Sequence, residues 1–402
     1  MTPPLWLLIP FALLLLSLAL GPLLAPQYWK SHRHQALVVL VIALPSFLWL
    51  VNAAPHDLQH ALQEYGSFIA LLGALYVAAG GVALTGDLAA TPRINTTFLA
   101  VGAVLASVIG TTGASMMLIR PFLHTNAERD HTAHLTLFFI VIVSNCGGLL
   151  TPLGDPPLFL GYLHGVPFFW TLRLFPYWAI TIGALLLMFY GWDRRAYARE
   201  SARALARDAG AIIPLRLHGK ISLCCLGGVV GSVFAPTPWR ELFMVALATI
   251  SWCAGSRAAR RHNQFSWHPL QEIALLFAGI FITMTPALLL LTQYGTQRGV
   301  TTPGQFFWLT GALSSLLDNA PTYLTFFSLA HGTESSTKIL EAISVGAVFF
   351  GANSYIGNGP NLMVKTIAEH RGFQTPTFFG YILRAALILF PIYAFIHWRF
   401  FW

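Results

Sequence analysis

Two acidic residues, Asp155 and Asp318, lie in the middle of long apolar stretches of this 402-residue chain. An aspartate at the centre of a membrane-spanning helix costs about 2.5–3.5 kcal/mol on insertion scales, so each is a candidate functional residue. A buried carboxylate of this kind can bind a proton or a sodium ion. Asp155 precedes two prolines, however, and a role as the cap of a half-helix stays open.

Asp155 lies in one of two stretches that cannot form continuous helix. Residues 144–157 contain three prolines and three glycines, and residues 351–361 combine three glycines with one proline. Proline removes a backbone donor, and each glycine costs about 1 kcal/mol relative to alanine in a helix. A broken helix exposes carbonyl groups that suit a cation and, at the start of its second half, amide groups that suit an anion.

Amide and hydroxyl side chains cluster at these breaks and at the tips of two further interrupted stretches. Such groups can coordinate sodium or hold a carboxylate, although single ones usually bond to a neighbouring helix or to their own backbone. Together with the aspartates they form the predicted ion- and substrate-binding set: Asp318, Asn319, Thr322, Asp155, Asn145, Ser144, Thr151, Thr111, Thr112, Ser115, Asn353, Ser354, Asn358 and Asn361. Lys365 either pairs with a buried carboxylate or extends to the membrane surface.

The elements that must position these residues are transmembrane helices. The chain is 56% hydrophobic and only 9% charged, against about 25% charged in a soluble domain. This composition excludes a soluble enzyme, a nucleic-acid-binding protein and a disordered chain. The net charge of +8 is attributed to Lys and Arg residues in loops, where they set the orientation of the protein in the membrane. We predict an all-α polytopic membrane protein, not an enzyme, with ten spans: 5–25, 35–54, 66–86, 135–165, 176–192, 221–237, 241–256, 268–292, 340–366 and 378–396.

The two halves of the sequence resemble each other. Gly154-Asp155-Pro156-Pro157 aligns with Gly357-Asn358-Gly359-Pro360, and each is followed by an apolar stretch and a pair of phenylalanines. An internal repeat is typical of secondary transporters. We predict a first repeat over 1–192 (hairpin 96–123, broken helix 135–165), a linker over 193–220, and a second repeat over 221–402 (hairpin 303–331, broken helix 340–366).

Orientation follows from the distribution of basic residues. If both interrupted stretches are re-entrant hairpins, each half has five spans, and the second half is inverted relative to the first. With the linker, predicted as a surface helix, on the cytoplasmic side, about 18 of the 23 Lys and Arg residues lie inside. The predicted location is therefore the inner (cell) membrane, with several passes and a cytoplasmic linker.

The motif Leu-Asp318-Asn319-Ala-Pro-Thr322 resembles the hairpin motif of the ion-transporter superfamily. The run from Ser144 to Asp155 is similar to the first broken helix of one branch of that superfamily, which contains NhaD-type sodium/proton antiporters and citrate transporters. The resemblance implies two inverted repeats, elevator-type alternating access and a homodimer. It also implies cation sites at the hairpin tip and broken helix of each half.

The function predicted from these features is sodium/proton antiport, with sodium at Asp318 and Asp155. The alternative is sodium- or proton-coupled transport of citrate or a dicarboxylate, in which half-helix N-termini hold the anion. No cofactor is expected beyond the coupling sodium ion or proton. The expected partners are the lipid bilayer and a small inorganic ion or small carboxylate, with no nucleic acid.

Overall fold

A computed structural model of the chain describes residues 3–29, 31–294, 299–330 and 336–402. The protein is an all-α polytopic membrane protein, as predicted. The described ranges contain nineteen α-helices: α1 Leu8–Leu24, α2 Pro26–Trp29, α3 His32–Ala53, α4 Pro55–Gly80, α5 Pro92–Ile109, α6 Thr111–Thr125, α7 Leu135–Ile142, α8 Pro156–Leu163, α9 Phe175–Tyr197, α10 Ala202–Ala211, α11 Lys220–Ser232, α12 Trp239–Ala254, α13 Arg257–His262, α14 His268–Tyr294, α15 Pro303–Leu316, α16 Asn319–Leu329, α17 Thr337–Phe350, α18 Gly359–His370 and α19 Phe378–Ile396.

Six helical segments in the described ranges are long and apolar enough to cross a bilayer: His32–Ala53, Pro55–Gly80, Pro92–Ile109, Phe168–Tyr197, His268–Leu291 and Phe378–Phe401. Shorter apolar helices cover Leu5–Leu18, Leu135–Leu150 and Lys220–Ser232. Several predicted spans are therefore short helices, or pairs of half-helices such as α7–α8 and α17–α18. A hydrophobicity window does not separate a broken span from a continuous one.

A small antiparallel ribbon was not anticipated. Strand β1, Ala83–Asp87, pairs with β2, Ile213–His218, so the predicted span 66–86 ends in a strand. The linker 193–220 is not one surface helix, because it contains the end of α9, then α10, then β2. The carboxylate of Asp208 on α10 accepts a hydrogen bond from the backbone N–H of Ala90, and this contact joins the linker to the segment before α5.

Both interrupted stretches form helix pairs with a sharp connection. Helices α5 and α6 pack together and meet at Gly110, whose φ of 84° is in the region that favours glycine. Helices α15 and α16 meet at Leu317 and Asp318, and both residues are extended. These pairs cover the stretches 96–123 and 303–331, of which residue 331 lies outside the described residues. That they are re-entrant hairpins remains a prediction, since the first arm, Pro92–Ile109, is itself long and apolar enough to cross a bilayer.

The two broken helices share one backbone conformation. Thr151 and Ser354 have φ/ψ of −139°/160° and −138°/165°, while Asp155 and Asn358 have −146°/144° and −155°/138°. In each half a short 3₁₀ turn comes first, and the helix that follows begins with a proline in its first two positions. This correspondence supports the repeat found in the sequence; its inverted topology remains a prediction.

Candidate functional site

The carboxylate of Asp155 is the centre of a buried polar cluster. The side chain is 1% exposed, and Oδ1 accepts hydrogen bonds from Thr111 Oγ1 at 3.0 Å and from Asn358 Nδ2 at 2.9 Å. Oδ2 accepts from Asn319 Nδ2. Thr111 comes from the first half of the chain, whereas Asn319 and Asn358 come from the second. One carboxylate therefore joins the hairpins and the broken helices of both halves.

Local sequence explains why Asp155 points into this cluster. A residue before proline is restricted to extended conformations, and Asp155 precedes Pro156 at the start of α8. Its side chain makes no hydrogen bond to the first turn of α8, although aspartate at this position usually does. The capping role that the sequence left open is thus not the one seen in the structure.

The starts of four helices meet at this carboxylate. Asp155 precedes α8 and Asn358 precedes α18, while Thr111 and Asn319 are the first residues of α6 and α16. The N-terminus of a helix carries about half a positive charge and exposes unpaired N–H groups. Prolines within the first three positions of α8, α16 and α18 remove some of these N–H groups, but the four helix dipoles still favour negative charge at this point.

A second set of bonds links the two broken helices directly. Asn145 Nδ2 donates to Asn361 Oδ1 at 2.7 Å, and Asn361 Nδ2 donates to the carbonyls of Gly351 and Ser354 at 3.0 and 2.9 Å. Asn358 Nδ2 also donates to the carbonyl of Ser144 at 3.1 Å. The asparagines therefore satisfy the carbonyl groups that the helix breaks release.

Two amide oxygens in this cluster have no hydrogen-bond partner. They are Oδ1 of Asn145 and Oδ1 of Asn319, and both are buried. A buried acceptor without a partner costs about 1–3 kcal/mol. A methyl group built on Gly351 would lie 3.0 Å from the Gly357 carbonyl oxygen, 3.4 Å from Asn145 Oδ1 and 3.6 Å from Asn319 Nδ2. The position beside Gly351 is therefore tightly packed, and two of the three nearest atoms are oxygens, which are the ligands of hard cations.

No basic side chain takes part in these bonds within the described part of the chain. Lys365 Nζ pairs with Glu369 Oε1 on the next turn of α18 and not with either aspartate, which fits the alternative in which it extends towards the surface. Within the same ranges, no group of three or more His, Cys, Asp and Glu residues could hold a metal ion. The charge of the cluster is therefore that of its carboxylates and helix ends.

The other predicted residues lie at the edges of the cluster. Ser115 and Ser144 share a hydrogen bond of 2.8 Å between their hydroxyl groups. Asp318 accepts from the N–H of Ala320 at 3.0 Å and so caps α16, and Thr322 donates back to the Asp318 carbonyl at 2.9 Å.

Three further members of the predicted set lie outside the bonds described so far. Thr151 donates to the Ser107 carbonyl, Asn353 donates to Ser315 Oγ at 2.9 Å, and Thr112 is half-buried at the start of α6. Whether any member of the set binds an ion remains a prediction.

Sequence reasoning missed the serines that brace the breaks. Ser107 Oγ donates to the carbonyl of Gly147, and it accepts from the N–H of Leu150 at 3.2 Å. Ser314 Oγ donates to the carbonyl of Ala347 at 2.6 Å in the second half. Each serine lies three residues before the hairpin connection of its half, and this shared position was the available signal.

The fold and the cluster define a polytopic membrane protein with a buried polar site between its two broken helices. A family model described as "Putative citrate transport" (CitMHS_2) matches residues 1–401. The chain belongs to this family, as the resemblance of its motifs indicated. A search of curated proteins gives no match.

Proposed function

We propose that the protein carries a citrate-class carboxylate across the membrane, coupled to sodium or protons. The observation that carries this proposal is the Asp155 carboxylate, held by both halves of the chain where four helix N-termini meet. Asp155 and the free amide oxygens suit the coupling cation, and the helix ends suit the carboxylate. The match to a citrate-transport family favours this function over the antiport that the sequence alone put first.

Coupling follows from the charge of Asp155. An ionised carboxylate repels a carboxylate substrate bound beside it, and at short range in a low-dielectric site this repulsion is worth several kcal/mol. A proton or a sodium ion on Asp155 removes the repulsion. The substrate then binds well only after the cation, and cation and substrate move together.

The movement we propose is of the elevator type. The hairpins α5–α6 and α15–α16 and the broken helices α7–α8 and α17–α18 form the transport unit, since their polar contacts cross between the halves. Helix α4 packs against α3, α12 and α14, and α3 packs against α14; these four helices would form the scaffold of a homodimer. In this proposal the two units are inverted repeats, the membrane is the inner membrane, and the linker 193–220 faces the cytoplasm.

Sodium/proton antiport is the second candidate, favoured by the absence of Lys and Arg from the described cluster contacts. A carboxylate that binds either a proton or sodium couples the two ions by competition. Inverted vesicles with a proton gradient would then show sodium-dependent dequenching of a pH-sensitive dye. Asp155→Asn and Asp318→Asn should each abolish the signal, and full activity in both variants would contradict antiport at these carboxylates.

Uptake of labelled citrate and succinate into proteoliposomes tests the main proposal. An imposed sodium gradient, an imposed pH gradient and no gradient form the three arms, and an ionophore that collapses each gradient is the control. We expect uptake only with an intact gradient. If no di- or tricarboxylate is taken up in any arm while dequenching occurs, the protein is an antiporter.

Gly351→Ala tests the proposed cation position. The added methyl group would crowd the Gly357 carbonyl oxygen and Asn145 Oδ1, at 3.0 and 3.4 Å. We expect a higher sodium concentration for half-maximal uptake, because these two oxygens must shift away from the proposed cation position. Gly359→Ala is the matched control on the same broken helix, since a methyl group there meets no atom within 4 Å. An unchanged sodium dependence in Gly351→Ala would place the cation elsewhere.

A further inference from the structure

A large cavity opens between the two halves, away from Asp155. Its volume is about 1210 Å³. It is lined by the segment before α7, by the last turns of α9, and by Gly372, Gln374 and Arg384 of the second half. The predicted orientation puts these segments at the cytoplasmic face. Nothing in the proposed transport cycle uses this cavity.

The walls of the cavity carry an excess of positive charge. Arg195, Arg199 and Arg384 line it, all exposed. No carboxylate in the described ranges lies within ion-pair distance of any of the three. The one acidic residue in the lining is Asp130, which accepts a hydrogen bond from Ser201. An anion in the cavity would therefore meet three arginines that lack a carboxylate partner.

A fourth arginine, Arg129, lines the cavity and is buried. Its side chain is 2% exposed, and it pairs with Asp193 at 2.6 Å and with Glu200 at 3.2 Å. These contacts use Nη1 and Nε, while the buried Nη2 has no hydrogen-bond partner. His134 also binds Asp193, at 2.8 Å. The two carboxylates are thus already engaged, and one guanidinium N–H group at the cavity wall remains unpaired.

Apolar side chains continue from the arginines along the lipid-facing surface. Arg384 lies on α19 between Leu383 and Leu387, which are 62% and 69% exposed. On the other wall, Leu187 is 75% exposed. An arginine among lipid-facing leucines is costly unless its charge is neutralised. A lipid phosphate would neutralise this charge in place, and the acyl chains of the same lipid would cover the leucines.

We propose that this cavity binds the phosphate headgroup of an anionic glycerophospholipid, with Arg195, Arg199 and Arg384 on the phosphate and the acyl chains along α9 and α19. A basic pocket between helices with an apolar flank is the arrangement that recognises such headgroups. A soluble anion would use the arginines but gain nothing from the leucines. Because the lining comes from both halves, a bound lipid links them.

Lipid-dependent thermal stability of the purified full-length protein tests the site. The probes are phosphatidylglycerol and diphosphatidylglycerol in detergent, with phosphatidylcholine as the neutral lipid and inorganic phosphate and citrate as soluble anions. We expect the anionic lipids to stabilise at the lowest concentrations. Arg195→Gln and Arg384→Gln should each weaken this effect about fivefold, as expected for the loss of one basic contact to an anionic lipid.

Arg194→Gln is the matched control, because Arg194 is an exposed neighbour on α9 that does not line the cavity. An equal loss in Arg194→Gln overturns the site, since it would reflect net charge alone. Stabilisation by phosphatidylcholine at the same concentrations, or by phosphate or citrate as strong as by the lipids, also overturns it. All variants must first match the wild type in size-exclusion profile and in stability without added lipid.

Discussion

Removing Asp155 in two different ways separates its packing role from its charge. Asp155→Ala leaves Thr111 and Asn319 without the acceptor they share, whereas Asn358 keeps its bond to the Ser144 carbonyl. Two buried donors lose their partner, at about 1–3 kcal/mol each. The expected loss in the free energy of unfolding is therefore about 2–6 kcal/mol.

Asp155→Asn should cost much less. Its amide oxygen can keep the bonds from Thr111 and Asn358, and its amide nitrogen would face Asn319. Asn319 can turn over and accept that hydrogen bond through Oδ1, which has no partner in the native cluster. The number of unpaired groups then stays the same, so the expected loss is below about 1 kcal/mol.

Unfolding in mixed micelles, followed by tryptophan fluorescence at several sodium concentrations and constant ionic strength, measures both effects. Sodium that binds only the folded protein should stabilise the wild type, by about 2.7 kcal/mol at a hundred times its dissociation constant. Both variants should lose this dependence. If Asp155→Asn is as unstable as Asp155→Ala, or if it keeps the full sodium effect, the role assigned to Asp155 is wrong.

Three further predictions test other parts of the structure. Gly154→Ala should lower the free energy of unfolding by about 1–3 kcal/mol, because the new methyl group would collide with the Gly148 carbonyl oxygen. Gly183→Ala is the control and should not destabilise the protein, since a methyl group there meets no atom within 4 Å. Unfolding in mixed micelles compares the two variants. Asp318→Ala should cost about 0.5–2 kcal/mol through loss of the α16 cap, and Asp318→Asn should restore most of it in the same measurement. Burial raises the pKa of Asp87. The stability that the protonated Asp87 carboxyl contributes is present at acid pH and is lost as pH rises through the raised pKa. Thermal unfolding from pH 4 to 8 should therefore show the melting temperature of Asp87→Asn rising relative to that of the wild type as pH increases.

The helical class and the positions of the breaks could be predicted from sequence, because their signals are local. Proline and glycine mark where a helix must stop, and a carboxylate in an apolar stretch marks a candidate site. Both broken helices are present where residues 144–157 and 351–361 predicted them. The membership of the chain in a citrate-transport family agrees with the motifs around Asp155 and Asp318.

The different roles of the two aspartates could not be predicted from the sequence. The sequence left a capping role open for Asp155, but in the structure Asp318 caps its own helix and Asp155 accepts hydrogen bonds from both halves. That difference depends on contacts between residues about 160–200 positions apart, such as Asn319 to Asp155 and Asn358 to Asp155. For the same reason His134, in a loop, gave no sign that it would be buried against Asp193.

Gradient-driven uptake of labelled citrate by proteoliposomes, compared between the wild type and Asp155→Asn, tests the central claim most directly. We expect the wild type to accumulate citrate under an inward sodium or proton gradient. The variant should show no accumulation above the level without a gradient, because it can no longer hold the coupling cation. Gradient-driven accumulation by Asp155→Asn at the wild-type rate would contradict the claim that this carboxylate couples transport.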